Sequence, residues 1–364
     1  MQAEKNRYAF ESPGVFARGW HIVCFSQELK PGDIKALDYF NHEFVLFRTE
    51  TGRAAIHDAY CPHLGAHLAG TGSRVVGDSI RCPFHGWQFN SDGRCTGIPY
   101  AKKIPDKAHS ALKPWPVTEK NGFIAIWYDR EGGDPNWELP DIPEWNQPAW
   151  GDWRFNRKRI RAHGREIIEN IVDVGHFPSV HGGRPLQFDN VFTRFTVSQE
   201  SRIKPDLDLA IIQPSDIDFN LQEMRAERGI EDGDGWGVAT YHGPSVMYFY
   251  TTYKGTSLSY KSWWVNYHVP INDQELELTS GIIVTGLEEE ALPEEFEASY
   301  PTMAMAAFGS DVEVWKTKKY LPEPLLCDGD GPINKLRKWY NRFYLPRGEE
   351  AWNEPPTVIS SVRD

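Results

Sequence analysis

Two short stretches constrain this chain more than anything else in it: "CPHLGAH" at residues 61–67 and "CPFHGW" at residues 82–87. Each carries one cysteine and one histidine, Cys61 with His63 and Cys82 with His85, and 18 residues separate the two pairs. Both lie at the ends of β-type segments, where loop tips can converge on one centre. Four such side chains could hold a zinc ion. Zinc fingers, however, keep their cysteines together and their histidines together, whereas here each loop has one of each. That division suits a two-iron cluster in which thiolates hold one iron and imidazoles the other.

The chain has 364 residues, enough for two domains that each bury a core. From Trp20 to Tyr128, short β-rich runs ("EFVLFRT", "AAIHDAY", "SIRCPFH", "WQFNSDGRC", "GFIAIWYD") are broken by turn residues, with a hairpin turn expected at residues 90–93. Residues 130–153 collect Pro, Gly, Asp and Asn without periodicity, as a boundary does. The expected division is 1–150, a small all-β unit, and 151–364. In the second part "GREIIENIVDVGHF", residues 164–177, has helical apolar spacing. β-type runs follow: "NVFTRFTVSQ", "LDLAIIQ", "SVMYFYTTY", "SYKSWWVNYHV" and "ELELTSGIIVTG", enough for an antiparallel sheet of about five to seven strands. Helical patterns return at "PEEFEASY", "MAMAAFGSDVEVWKTKKY" and "NKLRKWYNRFY". The class is α+β. The glycines of "EDGDGWG" sit in an acidic context that would repel phosphate, and they read as a surface turn.

A formal net charge of -12 argues against nucleic acid, whose binding needs a basic stripe. No run approaches the roughly 20 apolar residues that span a bilayer, and the start lacks a signal-peptide core. Cysteines at 24, 61, 82, 95 and 327 are too scattered for a secreted disulfide framework. The expectation is a soluble, cytoplasmic chain with reduced thiols.

A second constellation lies in "ENIVDVGHFPSVHGG", with Asn170, Asp173, His176 and His181. On an ideal helix Asp173 and His176 are about 60° apart, but His176 and His181 about 140°. Pro178 and the Gly182-Gly183 pair end the helix and would let His181 swing back. Two histidines and a carboxylate from elsewhere make the facial triad of mononuclear non-haem Fe(II). Alone, a pair of histidines five residues apart is weak evidence.

Together the motifs resemble a known family. Cys61, His63, Cys82 and His85, with Gly65, Gly86 and Trp87, resemble the Rieske [2Fe-2S] motif, and the spacing of Asp173, His176 and His181 resembles that of the Rieske oxygenase catalytic domain. Ala66 and Phe84 stand where respiratory Rieske proteins carry an extra cysteine pair, which points to the oxygenase branch. The chain as a whole resembles a Rieske non-haem iron oxygenase α subunit. Its segments at 82–105 and 311–344 look most like those of bacterial ketosteroid hydroxylase oxygenase components and Neverland-type cholesterol 7-desaturases.

The resemblance implies a Rieske domain followed by a helix-grip-like catalytic domain. It implies Cys61, His63, Cys82 and His85 as cluster ligands, and His176, His181 and Asp311 as iron ligands, with Glu313 the rival carboxylate. It also implies that Asp173 bridges a cluster histidine of one subunit to an iron-ligand histidine of its neighbour in a homotrimer. His67 is expected to be a loop residue. No flavin or dinucleotide motif is present, so a separate NAD(P)H-dependent reductase and/or ferredoxin would supply electrons. Dioxygen and a hydrophobic, steroid-like molecule are the expected substrates, and hydroxylation the expected outcome. Sterol desaturation, aromatic ring hydroxylation or dealkylation, and simple electron carriage are the alternatives.

Overall fold

The structure of the chain is a computed structural model that describes residues 14–206, 211–227, 233–349 and 352–362. It falls into two compact units. One comprises residues 18–142 and 271–273, the other residues 14–17, 143–270 and 274–362 within the described ranges.

The first unit carries β1 (Gly19–Phe25), β2 (Ile34–Tyr39), β3 (His42–Arg48), β4 (Ala54–Asp58), β5 (Arg74–Val76), β6 (Ser79–Arg81), β7 (Gln88–Asn90), β8 (Cys95–Gly97), β9 (Pro114–Trp115), β10 (Val117–Lys120) and β11 (Phe123–Tyr128). They form three antiparallel sheets, ordered β1-β11-β10, β2-β3-β4-β9 and β5-β6-β7-β8. The predicted turn at residues 90–93 is present. The Asn90 side-chain oxygen accepts from the Asp92 and Arg94 amides, and Gly93 takes the positive φ that L side chains resist. Beneath β6 and β7 lies a core of Val45, Phe47, Leu68, Ile80 and Phe89 that also encloses Cys61 and Cys82.

The second unit is built on one eight-stranded antiparallel sheet, with β12 (Arg154–Ile160), β13 (Gly183–Phe192), β14 (Thr196–Pro205), β15 (Asp234–His242), β16 (Val246–Lys254), β17 (Ser259–Pro270), β18 (Leu276–Gly286) and β19 (Thr357–Ser360) in the order β12-β18-β17-β16-β15-β14-β13-β19. This is more strands than expected, partly because "NVFTRFTVSQ" is a hairpin joining β13 to β14. Of "LDLAIIQ", residues 207–210 lie outside the described residues, as does the start of the chain to residue 13; the rest of that run is not a strand. "EDGDGWG" is no surface turn either. From Asp234 it belongs to β15, whose Gly235 and Gly237 lie between β14 and β16, where a Cβ on Gly237 would come within 2.6 Å of the Phe249 ring.

The α-helices among the described residues are α1 (Gly164–Glu169), α2 (Leu221–Glu227), α3 (Glu294–Trp315) and α4 (Ile333–Asn341). α1 stops well short of residue 177, and a separate π-helical turn covers Phe177–His181. α3 runs through Pro301 and so joins two segments read as separate helical patterns. Pro301 has no N–H for the Glu297 carbonyl four residues earlier, and the Arg154 guanidinium donates to that oxygen instead, at 2.7 Å. Phe296, Tyr300, Met303, Ala304, Asp311 and Trp315 form its buried stripe.

Candidate functional site

The two Cys-His loops fold alike. In each, the cysteine amide donates to the carbonyl five residues on (Cys61 to Ala66, 2.8 Å; Cys82 to Trp87, 2.8 Å), and the glycine amide returns to the cysteine carbonyl (Gly65 to Cys61, 2.9 Å; Gly86 to Cys82, 3.2 Å). Both glycines have φ of 74°, a conformation that only glycine adopts freely. The histidine sits third in one turn and fourth in the other, yet the rings meet edge to face with centroids 4.7 Å apart. Trp87 stacks on His63 at 4.7 Å, and its indole N–H donates to the Tyr100 hydroxyl.

The cysteines are buried and the imidazoles half-buried at the rim. Burial pushes the Cys61 thiol up to about 12, against the His63 and Leu64 amides that donate to its sulfur. His85 Nδ1 is buried without a hydrogen-bond partner, which leaves its lone pair for a ligand. Two close thiols, amides aimed at sulfur and an orphaned imidazole nitrogen fit a [2Fe-2S] group with mixed ligation. His67 stays outside this set, because its Nδ1 accepts from the Ala69 amide at 3.0 Å. Cys95 is buried with its thiol toward the Gly97 carbonyl, Cys24 lies beside Glu28 and Lys35, and Cys327 is exposed.

The second unit assembles the other site from two elements. In the π turn, the Gly182 amide reaches back five residues to the Phe177 carbonyl, and Gly182 takes φ 59°. An i to i+5 ladder brings residues five apart onto one face. His176 and His181, which a regular helix would separate, are therefore 5.1 Å apart between ring centroids. From α3, Asp311 Oδ1 lies 3.9 Å from His176 Nε2 and 3.3 Å from His181 Nε2. One ligand atom from each residue falls within 4.8 Å of the others. Donors about 2 Å from a shared ion lie about 3 Å apart on one face of an octahedron, so small side-chain movements would close this triangle onto an ion, and the residue types fit a facial triad.

His176 Nδ1 donates to the Asp173 carbonyl at 2.6 Å, which leaves Nε2 deprotonated toward Asp311. Burial pushes His176 below its ordinary value, against the nearby Asp311 carboxylate, and so favours the neutral ring a metal needs. Glu313 is turned elsewhere. It accepts from the Ser215 amide and hydroxyl and from Lys316. The Asp173 carboxylate is partly exposed, with one oxygen taking the Gly175 amide and the other 3.8 Å from His176 Nδ1.

The triad opens into an apolar cavity of about 330 Å³ between the sheet and α3, within the size range of small-molecule sites. Phe249 and Trp264 line it, whereas Trp263 turns away to bond Glu144 and Tyr248 is buried outside the lining. Asn170 also lines it, together with residues the sequence reading passed over: Gln199, Ser201 and Asn266, all buried. Their signal is strand parity. Gln199 and Ser201 are polar at positions of β14 that alternate with outward ones, which is unusual on a core-facing side.

Comparison with known proteins agrees with both halves. Residues 19–115 match the Rieske [2Fe-2S] domain, and residues 126–344 match the 3-ketosteroid 9alpha-hydroxylase C-terminal domain. A 3-ketosteroid-9-alpha-monooxygenase oxygenase component of Rhodococcus rhodochrous is 34% identical over 343 residues, covering 92% of this chain and 85% of that protein. Cholesterol 7-desaturase nvd of Xenopus laevis is 31% identical over 355 residues, covering 93% of this chain and 74% of that protein. Among solved structures, dicamba monooxygenase bound to dicamba shares the fold, with a TM-score of 0.69 at 17% identity over 91% of this chain and 98% of that one.

Proposed function

The chain belongs to the Rieske oxygenases of the 3-ketosteroid 9α-hydroxylase family, and on that premise we propose that it is the oxygenase component of a multicomponent monooxygenase that hydroxylates a ketosteroid-like substrate. The observation that carries the reading is the convergence of His176, His181 and Asp311 on the wall of an apolar cavity. In this reading Cys61, His63, Cys82 and His85 hold the [2Fe-2S] cluster, and the triad holds Fe(II). Bound there, the two groups supply one-electron transfer and activation of dioxygen. A separate NAD(P)H-dependent reductase, directly or through a ferredoxin, is the electron source.

The residues themselves set up the chemistry. Asp173 holds the His176 ring through its carbonyl and offers a partly exposed carboxylate beside it. That carboxylate is suited to accept an N–H from a cluster histidine of a neighbouring subunit in a trimer, and so to act as the electron bridge. Phe249, Trp264 and the strip of Gly235, Gly237 and Ala239 make a flat apolar bed for a rigid ring system and keep bulk water from it. In this reading electron uptake belongs to the unit of residues 18–142 and oxygen chemistry to the unit that holds the triad. Among the described residues no helix is long and apolar enough to cross a membrane.

Substrate-dependent oxygen uptake with a surrogate reductase, across ketosteroids, sterols and aromatic acids, tests the proposal. Ketosteroids should stimulate uptake and yield a product heavier by one oxygen. Stimulation by aromatic acids alone would overturn the steroid assignment. The likeness to the cholesterol 7-desaturase favours a second reading, desaturation, whose product would be lighter by two hydrogens.

A further inference from the structure

Beyond the reaction cavity lies a second one of about 240 Å³, and Phe177, His181, Trp264 and Ala307 line both. Its other walls are mainly apolar, among them Val180, Ile211, Leu221 and Met303, with one charged side chain among the described residues, Arg225 of α2. Arg225 is half-buried. One Nη1–H donates to the His181 carbonyl at 2.7 Å, and among the described residues the side chain makes no other hydrogen bond or ion pair. Among the described residues, the groups that bear on it electrostatically are the hydroxyls of Tyr260 and Tyr253, phenols and not carboxylates.

The contrast within the same unit is plain. Arg165 and Arg337 are buried too, but Glu166 lies 3.3 Å from the first and Glu169 2.7 Å from the second. A guanidinium withdrawn into an apolar chamber without a counter-charge is costly. It remains charged at any working pH and carries a planar fork matched to a carboxylate.

We propose that Arg225 is a specificity-determining residue that binds a carboxylate at the end of the substrate's side chain. The fused-ring body lies in the first cavity beside the triad, and the acidic tail passes His181 into the second. The hydrogen bond from Arg225 to the His181 carbonyl then ties the anion to the backbone of a triad residue and sets the depth at which the rings stop. The second cavity suits a short acyl tail ending in a free acid. The inference rests on the ketosteroid reading.

The test is binding of 3-oxocholenoic acid, a ketosteroid whose side chain ends in a carboxylate, and of its methyl ester to the iron-loaded full chain, by titration calorimetry. Arg225→Gln keeps a donor for the His181 carbonyl and removes the charge; Arg225→Lys keeps the charge and loses the fork. The wild type should prefer the acid. Arg225→Gln should weaken acid binding roughly 10- to 100-fold, as expected for a lost charge-assisted pair, and leave the ester within about two-fold. Arg225→Lys should fall between. Equal weakening of both ligands, or no change in either, would overturn the assignment while ester binding upheld the ketosteroid reading. If neither compound binds the wild type, the ketosteroid reading fails and the assignment with it.

Discussion

Asp311 and Glu313 show how much a single residue's direction decides. Two residues apart on α3, they point about 200° apart, so only one can join the histidines, and Asp311 does. Asp311→Asn should lose about one iron per chain with acid-labile sulfide unchanged, and oxygen uptake should fall by roughly 100-fold or more. Glu313→Gln should keep its iron. Iron loss from Glu313→Gln instead would reverse the assignment. At this scale the sequence was most legible, because ligand chemistry favours particular residue types: Cys61, His63, Cys82 and His85 stand out by type and spacing, and the resemblance to the Rieske motif supplies their expected role. Gln199, Ser201 and Asn266 did not, since polar residues in strands are ordinary until the buried face of the sheet is known. Arg225 was equally hidden, as its lack of a counter-charge is a property of space and leaves no trace in spacing.

Among the elements, the π turn matters most to the site. Helical periodicity through residues 164–177 suggested one longer helix, but α1 ends at Glu169 and the chain regroups around Pro178 and Gly182. Pro178 and the glycines marked a break without specifying its geometry, because π turns have no sequence code of their own. Alternating glycines in "EDGDGWG" misled for a related reason: glycine usually marks a turn, and here close packing of β15 against Phe249 requires it. α1 is anchored from behind by ions. Glu169 accepts from Arg337 at 2.7 Å and Lys318 at 3.1 Å, and Lys318 also reaches Glu166 at 2.9 Å. Removing Glu169 leaves the buried Arg337 without its carboxylate, while Lys318 keeps Glu166. Glu169→Ala should therefore cost about 3–5 kcal/mol in denaturant unfolding, while Glu169→Gln, which keeps an acceptor, should cost less. Equal stability of Glu169→Ala and wild type would show that the network does not hold α1.

Across the whole molecule, each unit contains a histidine kept neutral by its surroundings. Burial pushes His57 down to about 4, against its hydrogen bond to the Asn90 carbonyl, and its Nδ1 has no partner. Burial, with Arg165 adding to it, pushes His163 down to about 3. Both bind protons more weakly folded than unfolded, so the unfolded chain takes up more protons below the ordinary value of 6.5. Their stabilisation is full above that pH and is lost as pH falls toward 4, by up to roughly 3 kcal/mol for each group. Calorimetry should show the thermal midpoint falling steadily from pH 6.5 to 4.5, and His57→Gln should flatten part of that fall; a flat profile in the wild type would refute it. The broad plan, an all-β unit followed by a sheet-and-helix unit, was legible in turn residues and strand runs. The eighth strand of the large sheet was not, as β19 is a short run near the end of the chain that gains its place only by pairing with β13. The central claim is that one chain holds both an electron inlet and an oxygen-activating site. Iron and acid-labile sulfide analysis of anaerobically purified protein tests it most directly: about three irons and two sulfides per chain are expected, whereas two irons with full sulfide would leave the His176, His181 and Asp311 site without its metal and contradict the account.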